Sequence, residues 1–210
     1  MGVKERRERE RLETRDLILE AARELFLAEG YDGVTMRKVA DKIEYSATAI
    51  YAHFADKEEL FHEMCHQDFA RLAAAMQAIG HRPDPVERLR ETGKAYIQFG
   101  LQYPNHYKLM FMTAHPFKEP SGCDFEVKGN PEKDAYAFLK QTVQQAIDLG
   151  VFRDGLDDAE LISQTLWGAV HGVISLQIAK HDDYWVDWRP VEQRAEVMLD
   201  SVLYGLLKAR

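Results

Sequence analysis

The sequence has 210 residues, enough for two modest domains with buried cores. Its formal net charge is −8, and residues 1–60 carry 11 basic against 14 acidic side chains, so the composition excludes a uniformly basic surface, and any nucleic-acid binding would need a local basic patch. Two cysteines without framework spacing, no apolar leader and no apolar run of roughly 18 residues predict a reduced, cytoplasmic protein without a membrane segment.

The N-terminal segment 4–15 alternates in charge, which predicts a helical extension. Two interpretations stay open. In one the segment is a solvated helix end. In the other it is an arm that touches DNA phosphates or an adjacent minor groove through Arg6, Arg7, Arg9 and Arg11. The first domain helix then continues to about Glu29, and Gly30 ends it.

The stretch 35–57 predicts two short helices joined by a tight turn. Val39, Ala40 and Ile43 give the first helix an apolar face at helical spacing. Ser46 is a suitable N-cap for the second helix, because its hydroxyl can accept a hydrogen bond from a backbone N–H that the helix leaves unpaired.

The second of these helices has two different faces. Ile50 and Phe54, four residues apart, predict the buried one. The other carries small or hydrogen-bonding side chains that suit a groove, namely Ala47, Thr48, Tyr51 and His53. Asp56 then caps a third helix that begins at Lys57, where N–H groups and positive charge could hold a phosphate. This layout is typical of a helix-turn-helix DNA reader.

The first third of the chain resembles the N-terminal DNA-binding domain of TetR-family transcriptional regulators. The shared pattern is Arg15-x-x-Ile18-Leu19-x-Ala21-Ala22-x-x-Leu25-Phe26-x-x-x-Gly30-Tyr31, then Val34-Thr35-x-x-x-Val39-Ala40, then Ile50-Tyr51-x-His53-Phe54-x-x-Lys57-Glu58-x-Leu60. The family usually has Ala-Gly in the turn, whereas this chain has Ile43-Glu44. Because glutamate is strained at positive φ, we expect either a different turn or a tolerated strain.

The resemblance implies a set of DNA contacts. Ala47 and Thr48 are expected at base edges, where Ala47 could meet a thymine methyl group. The phosphate backbone is expected to meet Thr35, Arg37, Tyr51, His53 and Lys57, with Lys38 as a further candidate. With the cap included, the predicted DNA-binding residues are Thr35, Arg37, Lys38, Ser46, Ala47, Thr48, Tyr51, His53 and Lys57.

The helix that begins at Lys57 is predicted to continue to about Ile79 and to connect two domains. It contains His62-Glu63-Met64-Cys65-His66, a formal match to the H-E-x-x-H motif of zinc proteases. The motif fixes few positions, and no convincing third ligand is in view. We therefore interpret His62 and His66 as two partly exposed histidines and predict no metal and no cofactor.

The remaining pattern predicts an all-α fold with about nine helices and no strands. Further helices are expected over 85–103, over 107–112 with Asn105 as cap, from Pro131 to about Gly150, from Asp157 or Asp158 to about Lys180, and over 190–208, with a long loop at 113–130 that includes Cys123. The expected domains are a DNA-binding domain at 12–72, with its helix-turn-helix at 35–54, and a ligand-binding and dimerisation domain at 80–210.

The penultimate helix contains Trp167-Gly-Ala-Val-His171-Gly172, which resembles the C-terminal region of a TetR subgroup named for its Trp-His-Gly pattern. One face of this helix is formed by small residues, and glycine inside a helix costs about 1 kcal/mol relative to alanine, which suggests close approach of another helix. By resemblance, the last two helices form a four-helix homodimer interface, which implies a palindromic operator. The expected ligand-pocket residues are Phe99, Tyr103, Tyr107, Met110, Phe111, Trp167 and His171.

These observations predict a ligand-responsive transcriptional regulator rather than an enzyme. By resemblance it is a repressor that a small apolar or aromatic molecule releases from double-stranded operator DNA, by shifting the connecting helix. Two alternatives stay open. One is a helical interaction protein without DNA binding, which the acidic charge and the departure from the family pattern at Ile43-Glu44 leave open. The other is a zinc hydrolase built on His62, Glu63 and His66.

Overall fold

A computed structural model describes residues 2–80, 82–114, 116 and 127–208. In these residues the chain forms nine α-helices and one π-helical segment, and the only extended pairing there is an isolated bridge between Phe152 and Leu207. The all-α prediction is therefore confirmed. The helices are α1 Val3–Gly33, α2 Met36–Lys42, α3 Ala47–Tyr51, α4 Lys57–Gln77, α5 Pro85–Gln102, α6 Pro104–Tyr107, α7 Ala135–Asp148, α8 Ala159–Lys180 and α9 Val191–Leu206; the π-helical segment is Lys108–Met112.

The described residues divide into two compact units. The first contains those of 2–68 and 105–116, and its core lies between α1, α2, α3 and the first turns of α4. Ile18, Ala22 and Phe26 of α1 are fully or almost fully buried there. They pack in one cluster with Val39, Ile50, Phe54 and Leu60. The helix breaks at Gly30, which has φ 71°, a conformation that glycine adopts without steric cost.

A buried group of charged side chains joins three segments of this first unit. Arg23 of α1 donates to Asp68 of α4 through two bonds of 2.8 and 3.2 Å. His106 of α6 lies 2.8 Å from the same carboxylate, between its Nδ1 and the Asp68 Oδ1. Glu20, half exposed, completes the group 2.6 Å from Arg23. The buried charges are thus mutually compensated, as burial of ionic groups requires.

The second unit contains the described residues of 69–104 and 127–208, with α5, α7, α8 and α9 as its helices. Asp84, Asp134 and Asp158 cap α5, α7 and α8 by accepting hydrogen bonds from N–H groups of the first turn. Gly93 of α5 permits a close approach, because a Cβ there would lie 2.5 Å from Cδ2 of Leu199 on α9. None of the described helices is both long and apolar enough to cross a lipid bilayer.

Two predicted helix starts were wrong. The short helix begins at Pro104 rather than at a cap on Asn105, because proline at the first position needs no N–H partner, and its continuation widens into a π-helical turn. The next helix begins at Ala135 rather than at Pro131, since Asp134 accepts from the N–H groups of Tyr136 and Ala137. Most of the predicted loop at 113–130, including Cys123, lies outside the described residues.

Candidate nucleic-acid interface

Local hydrogen bonds cap α2 and α3 and close the turn between them. The Thr35 hydroxyl accepts from the Lys38 N–H at 3.2 Å and caps α2, and the Ser46 hydroxyl accepts from the Ala49 N–H at 3.2 Å and caps α3. Between them, the N–H of Tyr45 donates to the carbonyl of Ala40 at 2.9 Å. These bonds pair backbone groups that the ends of two short helices would otherwise leave open.

Glu44, in the middle of this turn, has φ 59°. It is the one non-glycine residue with positive φ in the part of the chain that the structure describes. The turn therefore keeps a left-handed conformation without a glycine, and the strain expected from Ile43-Glu44 is present and tolerated. Such strain persists only where the surrounding contacts fix the conformation, and here both flanking helices are capped and packed.

The exposed face of α3 carries uncharged side chains that are small or can form hydrogen bonds. Thr48 is exposed, and the Tyr51 side chain is 54% exposed. Ala47 is half-buried and packs against the core of the first unit, which leaves only part of it available. Tyr45, which was not among the predicted DNA-binding residues, is also exposed just before α3. This face could lie in a major groove, where hydroxyl groups and methyl groups read base edges.

His53 lies at the end of the same segment and is half-buried. Burial lowers the pKa of His53, and the positive charges of Arg11 and Arg15 lower it further. Its Nδ1 is buried and has no hydrogen-bond partner within the described residues. The imidazole is therefore neutral near pH 7 and could meet a phosphate only as a hydrogen-bond donor.

The cationic candidates differ in how far they are already engaged. Arg37 is exposed. The Lys57 ammonium donates to the Tyr31 carbonyl at 2.8 Å and lies 4.1 Å from the centre of the Tyr31 ring. Lys38 donates to the carbonyl of Gly33 at 2.8 Å and pairs with Glu29. An ammonium group has three N–H bonds, so these contacts do not by themselves prevent either lysine from also donating to a phosphate. Phosphate contact by Lys38 and Lys57 stays a prediction.

Arg15 is a positioning residue that was not among the predicted DNA-binding residues. Its guanidinium donates to the carbonyl of His53 at 3.0 Å, lies 4.3 Å from the centre of the Phe54 ring and pairs with Glu63 at 3.2 Å. It thereby fixes α1 against the end of α3 and the start of α4. Its 38-residue separation from His53 gives no local signal in the sequence.

The H-E-x-x-H segment lies on α4. Glu63 is engaged by Arg15 and by Gln67, which donates to it at 3.0 Å. His62 is half-buried beside Glu58, and His66 is exposed. Over residues 2–80, 82–114, 116 and 127–208, no group of three or more His, Cys, Asp or Glu side chains could hold a metal ion. The pair therefore has no third ligand in that part of the chain.

The expected ligand-pocket residues fall in both units. Tyr107, Met110 and Phe111 belong to the first unit, where the rings of Tyr107 and Phe111 lie 5.0 Å apart. The second unit contains Phe99, Tyr103, Trp167 and His171, and the rings of Phe99 and Tyr103 lie 5.4 Å apart. The set is thus divided, and its role stays a prediction.

Trp167 and His171 are brought together through Tyr96, a residue that the prediction omitted. The Trp167 indole N–H donates to the Tyr96 hydroxyl at 2.9 Å, and that hydroxyl lies 3.5 Å from the His171 Nδ1. Burial lowers the pKa of His171. A neutral histidine, a hydroxyl and an indole in an apolar setting could orient the polar end of a ligand.

Comparison with known proteins identifies the family of both units. Residues 18–64 match the sequence model described as "Bacterial regulatory proteins, tetR family", and residues 89–202 match "Tetracyclin repressor-like, C-terminal domain". The first match covers the helix-turn-helix described above, and the second covers more than half of the chain.

Two curated relatives show the extent of the similarity. The HTH-type transcriptional repressor AcnR of Corynebacterium diphtheriae is 41% identical over 66 residues, which are 31% of this chain and 35% of that protein. The "Probable acrEF/envCD operon repressor" of Escherichia coli K12 is 25% identical over 206 residues, 92% of this chain and 87% of that protein. The chain thus matches about a third of the length of AcnR and most of the length of the second relative.

Solved structures show the same fold. The TetR family transcriptional regulator PfmR from Thermus thermophilus has a TM-score of 0.70 at 24% identity and covers 93% of this chain and 98% of its own. A bacterial regulatory protein of the tetR family from Rhodococcus RHA1 has a TM-score of 0.72 at 18% identity and covers 93% of this chain and 98% of its own.

Proposed function

Because the chain belongs to the TetR family of bacterial transcriptional regulators, we propose that it is a ligand-responsive repressor that binds a palindromic operator as a homodimer. The observation that carries the proposal is the exposed face of α3, held by the Ser46 cap and by Arg15. If α2 and α3 served only to pack the core, nothing in that role would require Thr48 and Tyr51 to be exposed to solvent. The site of action would be the cytoplasm, where the operator DNA is.

In the proposed complex, α3 lies in the major groove. Thr48 and the exposed part of Ala47 would contact base edges, and Tyr51 would donate its hydroxyl proton to a phosphate. Arg37, Thr35 and Lys57 would contact the backbone beside it. Because backbone contacts set orientation and base contacts set sequence, loss of Tyr51 should weaken binding to all sequences.

The proposed dimer would form through α8 and α9. Gly168 and Gly172 of α8 would have open space at an added Cβ, so no helix among the described residues of the same protomer packs closely on them. On α9, Val197 is 66% exposed and Tyr204 is 85% exposed. An apolar face with small residues on one helix and large ones on the next favours a second copy of the chain as its cover.

The proposed effector would bind in the second unit beside Tyr96, Trp167 and His171. The aromatic character of these residues suits an apolar or aromatic molecule, with an acceptor group that meets the His171 ring. In this family, effector binding acts through the connecting helix, here α4, and changes the spacing of the two reading helices. The coupling would therefore be a difference in effector affinity between DNA-bound and free protein.

A gel shift with the DNA immediately upstream of the protein's own gene tests the proposal. We expect a discrete shift with wild type, a loss with Tyr51→Ala, and no change with Tyr184→Ala, which removes a tyrosine from the second unit that is even more exposed than Tyr51. If the upstream DNA gives no shift, selection of bound genomic fragments identifies the operator.

The two alternatives make different predictions in the same preparation. A DNA reader shows a steep fall in affinity for nonspecific DNA with rising salt, and a flat response would favour an interaction protein without DNA binding. Metal analysis of the purified protein addresses the zinc hydrolase, since stoichiometric zinc bound through His62 and His66 would support it.

A further inference from the structure

The N-terminal half of α1 has a basic stripe on one face. Lys4, Arg7, Arg11 and Arg15 follow one another at steps of three, four and four residues, so they share one side of the helix. The same steps continue from Arg15 to Ile18, Ala22 and Phe26, all of which are buried in the core of the first unit. The stripe is therefore the outward continuation of the face that packs against α2, α3 and α4.

The other two arginines of this segment point elsewhere. Arg6 pairs with Glu10 at 3.5 Å and Arg9 with Glu13 at 3.7 Å, one helical turn along in each case. Arg11 has the longest of these contacts, 3.9 Å to Glu8. The helix thus separates the basic stripe from a side where Arg6 and Arg9 are neutralised by Glu10 and Glu13. Glu8, one turn from Lys4, lies at the edge of the stripe and offsets one of its four charges.

The stripe leads directly to the reading helix. Arg15, its last member, donates to the carbonyl of His53 at the end of α3. Arg11, one turn further out, is near enough for its charge to act on the His53 ring, where it lowers the pKa. Lys4 is eleven residues from Arg15, which is about 16 Å along the helix axis. The positive charge thus extends well beyond the end of α3.

We propose that Lys4, Arg7 and Arg11 bind the DNA backbone that flanks the sequence read by α3. The inference rests on the proposed function, because α3 must be on DNA for the stripe to reach the flank. Phosphate is the favoured partner because guanidinium groups bind it through paired hydrogen bonds, and because the stripe supplies the local positive charge that residues 1–60, with a net charge of −3, otherwise lack.

The helix supplies a matched control for the test. Arg7→Gln/Arg11→Gln removes two charges from the stripe, and Arg6→Gln/Arg9→Gln removes two from the neutralised side of the same turns. Glutamine and arginine have similar helix propensities, so both variants should keep the helical content, which circular dichroism checks. Arg7→Lys/Arg11→Lys keeps the charge and should keep the salt dependence.

The probe is the genomic fragment that wild type selects, prepared with about one helical turn of flanking DNA on each side, about 10 base pairs, and again without the flanks. We expect Arg7→Gln/Arg11→Gln to bind the long duplex roughly tenfold more weakly, with a salt slope that is smaller by about 0.9 for each phosphate that the variant no longer neutralises. Its hydroxyl-radical footprint should lose only the outermost protections. On the duplex without flanks, Arg7→Gln/Arg11→Gln should bind with the affinity of wild type. The control variant Arg6→Gln/Arg9→Gln should bind both duplexes with the affinity of wild type.

Equal losses of affinity in the two double variants, or an undiminished loss on trimmed DNA, would overturn the inference and leave the proposed function standing. So would a full footprint in Arg7→Gln/Arg11→Gln, which would turn attention to an acidic protein partner for the stripe. If wild type protects no central bases or phosphates on any fragment, α3 does not bind DNA. That result would count against the proposed function and, with it, against the proposed role of the stripe.

Discussion

The guanidinium of Arg15 donates to the main-chain carbonyl of His53 and lies over the ring of Phe54. One side chain of α1 thus holds the residues that immediately follow α3, a helix of only five residues that has little stability of its own. The orientation of the reading helix therefore depends on a contact made outside the helix-turn-helix.

Arg15→Lys should lower the free energy of unfolding by about 1–2 kcal/mol although it keeps the charge. A lysine ammonium cannot donate to His53 and Glu63 in one plane while it stacks on Phe54. Urea denaturation measures the change. Arg9→Lys, on the exposed part of the same helix, should stay within about 0.5 kcal/mol of wild type, and an equal loss in both variants would mean that Arg15 acts only through helix stability.

Glu44→Gly should stabilise the protein by about 0.5–1 kcal/mol. A left-handed conformation costs an L-residue about 1–2 kcal/mol, and the larger entropy of glycine in the unfolded chain cancels about 0.4–1 kcal/mol of the relief. Glu44→Asn should also stabilise, since asparagine tolerates this region. Glu44→Ala serves as the control: it removes the charge but keeps the Cβ, so a gain as large as that of glycine would assign the effect to charge.

Asp68→Asn should destabilise the protein by about 3 kcal/mol, because it leaves Arg23, which is 2% exposed, without its buried counter-charge. Thermal and urea unfolding measure the loss. Glu20→Gln removes the exposed carboxylate of the same group and should cost less than about 1 kcal/mol. A similar cost for both would show that the exposed carboxylate compensates Arg23 as much as the buried one does.

The pH dependence of stability should contain a contribution from His171. Burial lowers the pKa of His171 from its ordinary 6.5. The folded state therefore favours the neutral ring, so the contribution is complete above pH 6.5 and is lost as the pH falls through the folded pKa. As the pH falls from 6.5 through the folded pKa of His171, the denaturation midpoint of His171→Gln should fall less than that of wild type. If both midpoints fall equally with pH, His171 makes no such contribution.

Gly168→Ala/Gly172→Ala should weaken the proposed dimer while it leaves the protomer as helical or more so. Each alanine is about 1 kcal/mol better than glycine inside a helix. Two added methyl groups at a close helix contact cost about 1–3 kcal/mol, so the dissociation constant should rise about fivefold or more. Analytical ultracentrifugation over a concentration series gives that constant. An unchanged or tighter dimer would place the interface on another face.

Local sequence signals were sufficient to predict most of the helices. They failed where two helix-start signals lay close together. The helix from Asp158 to Lys180 was predicted at its observed bounds because one strong cap precedes one long apolar pattern. Pro131 and Asp134 are both start signals, and only the structure shows that Asp134 caps α7. At the short helix, Pro104 and Asn105 competed in the same way.

The candidate site shows the same division. The Ser46 cap and the buried Ile50 and Phe54 were predicted from residues a few positions apart and are confirmed. The Thr35 cap is equally local but was not predicted. The engagement of Lys57 by Tyr31 joins residues 26 positions apart. Such tertiary contacts leave no periodic trace in the sequence, which is also why Tyr96 was missed beside Trp167 and His171.

Because the helix is continuous from Val3 to Glu29, the direction of the basic stripe depends on the number of residues between the stripe and the buried part of α1. The core fixes the rotation of α1 at Ile18, Ala22 and Phe26, and each residue inserted before them would turn the outer segment by about 100° about the helix axis. A single insertion between Arg11 and Arg15 would therefore carry Lys4, Arg7 and Arg11 away from the reading helix without touching the core. An insertion of seven residues would restore their direction to within about 20° while extending their reach. Among related chains, the length of this segment should accordingly vary in steps close to whole numbers of turns.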